Sequence, residues 1–222
     1  MTAEPGASGA APERRSALLI DWGGVLTTNL FKSFQEHCLR AEIDPAKLLG
    51  RFRRDPEARA LLIALEEGSL AEADFEAQLA ALLEVEPDGL IDGLFAGVEA
   101  DRAMVAAVRA ARLAGVRTAL VSNSWGVHRY PHDMFDDLFD GVVISGEEGI
   151  RKPARRMYEL GAERAGAAPE ACVFVDDLPF NLTPAQELGM ATILHTSAET
   201  TIPELERLLD VPLSDALQAS AS

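Results

Sequence analysis

The chain has 222 residues, 48% of them hydrophobic and 25% charged, and carries a formal net charge of −16. That length is enough for a full hydrophobic core. The acidity excludes a nucleic-acid surface and an anionic membrane surface, since both need clustered Lys and Arg. No apolar run is long enough to span a bilayer, and Asp21 cuts the run that follows Arg14-Arg15 below the length of an export signal. Cys38 and Cys172 stand far apart and read as two buried free thiols, which suits a reducing, cytoplasmic setting.

Residues 1–13 are mostly Ala, Gly, Pro and Ser with two acids, and they are expected to form a disordered tail, as are residues 214–222. Ser16 to Asp21 is the first strand; its unbroken apolar run predicts burial on both faces, as in a parallel sheet. Gly23 and Gly24 follow, letting the backbone turn tightly and approach a ligand.

From Asn29 to Gly97 the pattern is helical with no strand. Asp44-Pro45 and Asp55-Pro56 each set an N-cap before a proline suited to a first helical turn. Ala58, Leu61, Leu62 and Leu65 recur at helical spacing up to Gly68. Ser69-Leu70-Ala71-Glu72 reads as a capping box that opens another helix, with Phe75, Leu79, Leu82 and Leu83 on one face. Glu66-Glu67 reads as a solvated face.

The alternation then changes. A helix over Asp101 to Ala114 precedes a strand from Val116 to Val121 that ends at Ser122-Asn123. A short strand follows at Gly141 to Ser145, then a helix from Ala154 to Gly166. Cys172 to Val175 is a strand running into Asp176-Asp177; Thr183 to Leu188 is a helix and Ala191 to His195 a last strand. This order predicts an α/β fold: a doubly wound, Rossmann-like parallel sheet with a small all-helical cap inserted after the first strand. The core would comprise residues 14–28 and 98–213, and the insert 29–97.

Asp21, Ser122-Asn123 and Asp176-Asp177 each follow a buried strand, and Lys152 follows another by a loop. Parallel strands bring their carboxyl ends to one edge, where ligands of such sheets bind. Three carboxylates meeting there would repel one another without a cation, and hard oxygen ligands suit Mg²⁺. Lys152 and Ser122-Asn123 would supply the charge and donors that a phosphoryl group requires. Singly, each has an ordinary reading: a helix cap, a surface cation, a turn.

These residues resemble the haloacid dehalogenase superfamily, in its phosphatase-like branch with a helical C1 cap. Asp21 with Gly23-Gly24-Val25-Leu26-Thr27 is similar to motif I, and Val121-Ser122-Asn123-Ser124 to motif II. Arg151-Lys152-Pro153 is similar to motif III. Motif IV is matched by Val175-Asp176-Asp177-Leu178-Pro179-Phe180-Asn181 with Ala185 and Gly189-Met190. Glu67-Gly68-Ser69 resembles the cap's specificity loop. The resemblance implies a Mg²⁺-dependent hydrolase that removes phosphate from a small phosphorylated metabolite. It makes Asp21 the nucleophile that forms an aspartyl-phosphate, and gives Asp21, the Gly23 carbonyl, Asp176 and Asp177 as metal ligands. Ser122 and Asn123 would orient phosphoryl oxygens, and Lys152 would neutralise phosphate and nucleophile.

Gly23 departs from the family pattern, which usually places an acid/base Asp there. The expectation is that Gly23 opens room for a substrate hydroxyl or a water, with the acid/base group coming from elsewhere. His128 and His132 are candidates for that group. Their i, i+4 spacing also suits a metal pair, although Pro131 opposes a helix and the carboxylates are the better site for a hard cation. His37 and His195 read as packed or surface residues. Trp22 either lines the mouth against the substrate or packs under the cap. The competing functional reading is a catalytically impaired binding protein that kept the site and lost turnover. Composition leaves the oligomeric state open.

Overall fold

The computed structural model describes residues 15–221. Five strands, β1 Ala17–Ile20, β2 Arg117–Ser122, β3 Gly141–Ile144, β4 Cys172–Asp176 and β5 Ala191–Leu194, form one sheet in the order β3-β2-β1-β4-β5. Every pairing is parallel. The helices in chain order are α1 Leu30–Arg40, α2 Pro45–Arg54, α3 Pro56–Glu66, α4 Glu72–Leu83, α5 Leu90–Phe95, α6 Arg102–Leu113, α7 Phe135–Leu138, α8 Ser145–Glu148, α9 Arg155–Ala165, α10 Pro179–Glu187 and α11 Ala198–Leu209.

The central strand is buried on both faces because its apolar residues serve two cores alternately. Leu18 and Ile20 pack with Met104 and Val108 of α6 and with Ile202 and Leu205 of α11. Ala17 and Leu19 pack with Met157 and Tyr158 of α9 and with Ala185 of α10. Helices on both faces of a parallel sheet give the doubly wound architecture.

Helices α1 to α5 have a third core of their own, around Phe34, Leu48, Leu65, Phe75 and Leu79. Asn29, Asp44 and Asp55 cap α1, α2 and α3 with their side chains, the latter two ahead of a proline in the first turn. The two segments joining this insert to the sheet run side by side: Thr28 N–H donates to Glu99 O at 2.8 Å, and Asp101 N–H to Leu26 O at 2.9 Å. Trp125, from the loop after β2, reaches into the insert's core, with ring centroids 5.2 Å from Phe34 and 5.7 Å from Phe75.

Several expectations need correction. The capping box is not formed: α4 begins at Glu72 behind Ala71, with no side-chain cap. Ser69 instead closes the preceding helix, its N–H and hydroxyl both donating to Ala64 O, at 2.9 and 3.1 Å. The helix expected from Thr183 starts at Pro179, where the missing proline N–H falls among donors that have no intrahelical acceptor. Helix α11, absent from the sequence reading, carries Ile202, Leu205 and Leu209 on a buried stripe despite Pro203 in its interior.

The second expected tail is also ordered from its start. Ser214–Ala221 is a 3₁₀ helix with Ala216 buried, and Glu206 accepts from Ser214 N–H at 2.7 Å and from Ser214 Oγ at 2.6 Å. The expected tail over residues 1–13 lies outside the described residues. Cys38 and Cys172 are free and buried. Among the described residues, no helix is long and apolar enough to cross a membrane.

Candidate active site

Asp21 follows β1, Ser122 ends β2, and Asp176 ends β4 with Asp177 next, so all of them lie on one edge of the sheet. Lys152 arrives on the loop after α8 and is fully buried. Its Nζ lies 2.8 Å from Asp21 Oδ1 and 2.7 Å from Asp176 Oδ2, over the Phe174 ring at 5.6 Å. Burial alone would push this ammonium's pKa down, but Asp176 and Asp21 outweigh it and hold the lysine above its ordinary value.

Asp21 Oδ1 also accepts from Trp22 N–H at 2.7 Å, whereas no hydrogen bond among the described residues falls on Oδ2. Burial raises its pKa to about 6 against the pull of Lys152. Asp176 is saturated. Oδ1 accepts from Leu178 N–H at 2.9 Å and Asn181 Nδ2 at 3.0 Å, and Oδ2 accepts from Lys152. Asp177 has no ion pair among the described residues, and burial, reinforced by repulsion from Asp21 and Asp176, lifts its pKa to about 7. Carboxylate oxygens of Asp21, Asp176 and Asp177 lie within 4.8 Å of one another. Gly24 makes this approach possible: its φ is +77°, and a Cβ there would sit 2.5 Å from Asp177 Oδ2.

The motif II residues divide their work. Ser122 Oγ accepts from Tyr130 OH at 2.9 Å, which leaves the seryl proton to donate to a ligand. Asn123 Oδ1 accepts from Lys152 N–H at 2.8 Å while its Nδ2 donates to Lys152 O at 3.1 Å. The Asn123 side chain therefore braces the lysine segment, which leaves its backbone N–H as the group that would orient a phosphoryl oxygen.

Above this edge, between core loops and insert, lies a cavity of about 560 Å³ with Gly23, Ser122 and Asn123 in its lining. Trp22 does both things expected of it: it lines this cavity and packs on Tyr130 and Phe135, at 6.0 and 6.1 Å between centroids. Leu30 borders the space left at Gly23, since a Cβ there would meet Leu30 Cδ1 at 2.8 Å, and Gly23 itself lines the cavity. The imidazoles of His128 and His132 have separate partners. His128 Nε2 is 3.5 Å from Glu72 Oε2, and His132 Nε2 is 2.9 Å from Val127 O, so they form no metal pair. His195 is buried, with Nδ1 2.9 Å from Thr201 Oγ1, and His37 packs against Gly93.

The family profile described as haloacid dehalogenase-like hydrolase matches residues 16–189. The chain belongs to that family. Among curated relatives, this haloacid dehalogenase-like hydrolase is 39% identical over 114 residues to acyl-CoA dehydrogenase family member 10 of Mus musculus, covering 50% of this chain and 10% of that protein. It is 31% identical over 86 residues to glyceraldehyde 3-phosphate phosphatase of Methanocaldococcus jannaschii, covering 33% of this chain and 38% of that protein. The matches thus span well under two thirds of these relatives' own lengths. A haloacid dehalogenase family enzyme from Bacteroides thetaiotaomicron, solved in complex with magnesium and inorganic phosphate, shares the fold. It covers 82% of this chain and 94% of that one at a TM-score of 0.60 and 22% identity.

The haloacid dehalogenase-like hydrolase also places at this site residues that sequence reasoning missed. Glu66, expected on a solvated face, is buried with its carboxylate against Arg151; burial raises its pKa to about 7 despite that guanidinium. Its backbone carbonyl accepts from Ser145 Oγ, which in turn accepts from Ser124 N–H at 2.8 Å. The signal was its place four residues after Leu62, on the apolar stripe. Arg129 clasps the insert: Nε lies 3.0 Å from Glu72 Oε2, and Nη2 lies 2.8 Å from Asp92 Oδ1. Asn181, whose amide holds Asp176, had been quoted only as part of motif IV.

Proposed function

We propose that this hydrolase removes phosphate from a small phosphorylated metabolite through an aspartyl-phosphate on Asp21, with Mg²⁺ as its cofactor. The observation that carries this reading is the charge balance at the sheet edge: one buried lysine faces three clustered carboxylates, two of which have raised pKa values. Such an excess of hard oxygen ligands fits a divalent cation. Asp21 and Asp177 would hold it with the Gly23 carbonyl. Asp176, whose carboxylate already accepts from Lys152, Leu178 and Asn181, would border the ion and anchor Lys152. When bound, the ion would neutralise the carboxylates and polarise a phosphoryl oxygen.

The chain's own residues supply the rest. Lys152 and Trp22 N–H fix Asp21 through Oδ1, so Oδ2 is the atom that attacks phosphorus. Lys152 balances charge on nucleophile and phosphoryl group, and the Ser122 hydroxyl donates to a phosphoryl oxygen. No carboxyl stands at position 23 to protonate the leaving group, so turnover should depend steeply on leaving-group pKa. A Leu30 methyl in that place also favours a second reading, a binding protein with impaired turnover.

A phosphate-release screen over phosphorylated metabolites, with and without Mg²⁺, separates the two. The expected result is Mg²⁺-dependent release by the wild type and a loss of more than about 10³-fold in Asp21→Asn. Equal release by both proteins, or none by the wild type, overturns the proposal.

A further inference from the structure

We infer that the substrate carries a single anionic group, its phosphate, on an apolar alcohol of alkyl, alkenyl or aryl type. This deepens the phosphatase reading and rests on it. The cavity of about 560 Å³ falls within the range of pockets that enclose whole small-molecule ligands, far beyond the needs of a phosphoryl group. Its polar end is the floor at Gly23 and Ser122. Its walls are Trp22, Leu30, Phe95, Val98, Trp125 and Met134.

Several polar groups that line it are already engaged. Tyr130 OH donates to Ser122, and Thr27 Oγ1 accepts from Gly24 N–H at 3.0 Å while donating to Thr28 O at 3.1 Å. A sugar or polyol would bury hydroxyls with few partners, which costs about 1–3 kcal/mol for each unpaired group. A second anion fares no better. In the lining, the guanidinium of Arg129 is already faced by Glu72 and Asp92, and the imidazole of His128 by Glu72. Asp92 and Glu99 add negative charge to the same lining. Bisphosphates, phosphorylated carboxylic acids and nucleotides would meet repulsion where an alkyl chain meets aromatic rings.

The test uses the full chain with Mg²⁺ and n-alkyl phosphates from butyl to dodecyl, below their micelle concentrations. Members of that series share nearly one leaving-group pKa, so chain length is isolated from the chemistry of departure. Glycerol 3-phosphate, glucose 6-phosphate, AMP and p-nitrophenyl phosphate are run beside them, and n-alkylphosphonates of the same lengths are titrated calorimetrically. The expected result is a rise of roughly three- to fourfold per methylene in both kcat/KM and phosphonate affinity until the cavity is full. Val98→Asp, with folding checked by its thermal melt, should flatten that rise.

A flat series, or sugar phosphates ahead of the alkyl esters, overturns the inference. If p-nitrophenyl phosphate and the polar esters are hydrolysed while the alkyl series is flat, the phosphatase reading stands and the apolar substrate falls. If no ester is hydrolysed yet phosphonate affinity climbs with length, the apolar pocket stands and the phosphatase reading falls.

Discussion

On the core side of the cavity the charged groups are buried at strand ends and on the Lys152 loop; on the insert side Glu66 is buried too, but the Arg129 cluster is partly exposed and reaches across from one element to another. Lys152 exposes 1% of its side chain and Asp176 none, whereas Asp92, one partner of Arg129, exposes 79%. Loss of a partner in the floor leaves an ion stranded in a poorly polarisable interior. Loss of one in the roof lets its mate return largely to water. On the proposed reading, the chemistry would sit in the deeply buried part of the fold, and the selection of substrate in the part whose charged contacts are more exposed.

Breaking the floor should have the largest effect. Lys152→Met removes the cation that bridges Asp21 and Asp176 and is expected to cost about 3–5 kcal/mol in urea unfolding without metal. Added Mg²⁺ should restore part of that. A loss below about 1 kcal/mol would mean that the two carboxylates are better hydrated than their burial indicates.

Metal and protons should compete for the same floor. Asp21 and Asp177 have folded pKa values of about 6 and about 7, above the ordinary 3.8. The folded protein therefore holds protons that the unfolded chain releases. The contribution of these two groups to metal-free stability is fullest below about pH 4 and is lost as pH rises through about 6 to 7. Stabilisation by Mg²⁺ should run the other way, slight near pH 5 and reaching about 2.7 kcal/mol near pH 8 at a hundred times its Kd. Asp177→Asn should raise the metal-free melting temperature near pH 8 and abolish most of the Mg²⁺ response. Thermal melts across pH, with and without the ion, check both signs.

The roof should give less. Arg129→Gln cuts the links to Glu72 and Asp92 and should cost about 1–2 kcal/mol. In steady-state kinetics it should raise KM more than it lowers kcat. Smallest of all, Ser69→Ala should cost under about 0.5 kcal/mol, because Ser69 backs onto Ala64. A loss of about 1 kcal/mol or more is what an N-cap on α4 would give.

The same contrast governs how much could be read without coordinates. The floor was legible because strand ends are marked by an unbroken apolar run meeting a polar residue, and the five strands begin and end within a residue or two of expectation. Asp21, Ser122, Lys152, Asp176 and Asp177 do converge. The roof was much less legible. Glu66 looked like half of an exposed acidic pair, Trp125 carried no signal, and Ser69 looked like the start of a helix rather than the end of one. Helix α11 was overlooked because Pro203 interrupts its pattern, and the last ordered turns because their composition resembles a tail.

Sequence alone determined the order of strands and helices, the helical insert after β1, and which polar residues stand at the sheet's carboxyl edge. These follow from hydrophobic period and turn chemistry, which are local properties of the chain. Only the tertiary structure decided that Asn123 braces Lys152, that Leu30 borders the space left at Gly23, and that much of the cavity wall is apolar. Those outcomes depend on side chains meeting across elements far apart in the chain, where distance and burial, not residue type, choose each partner.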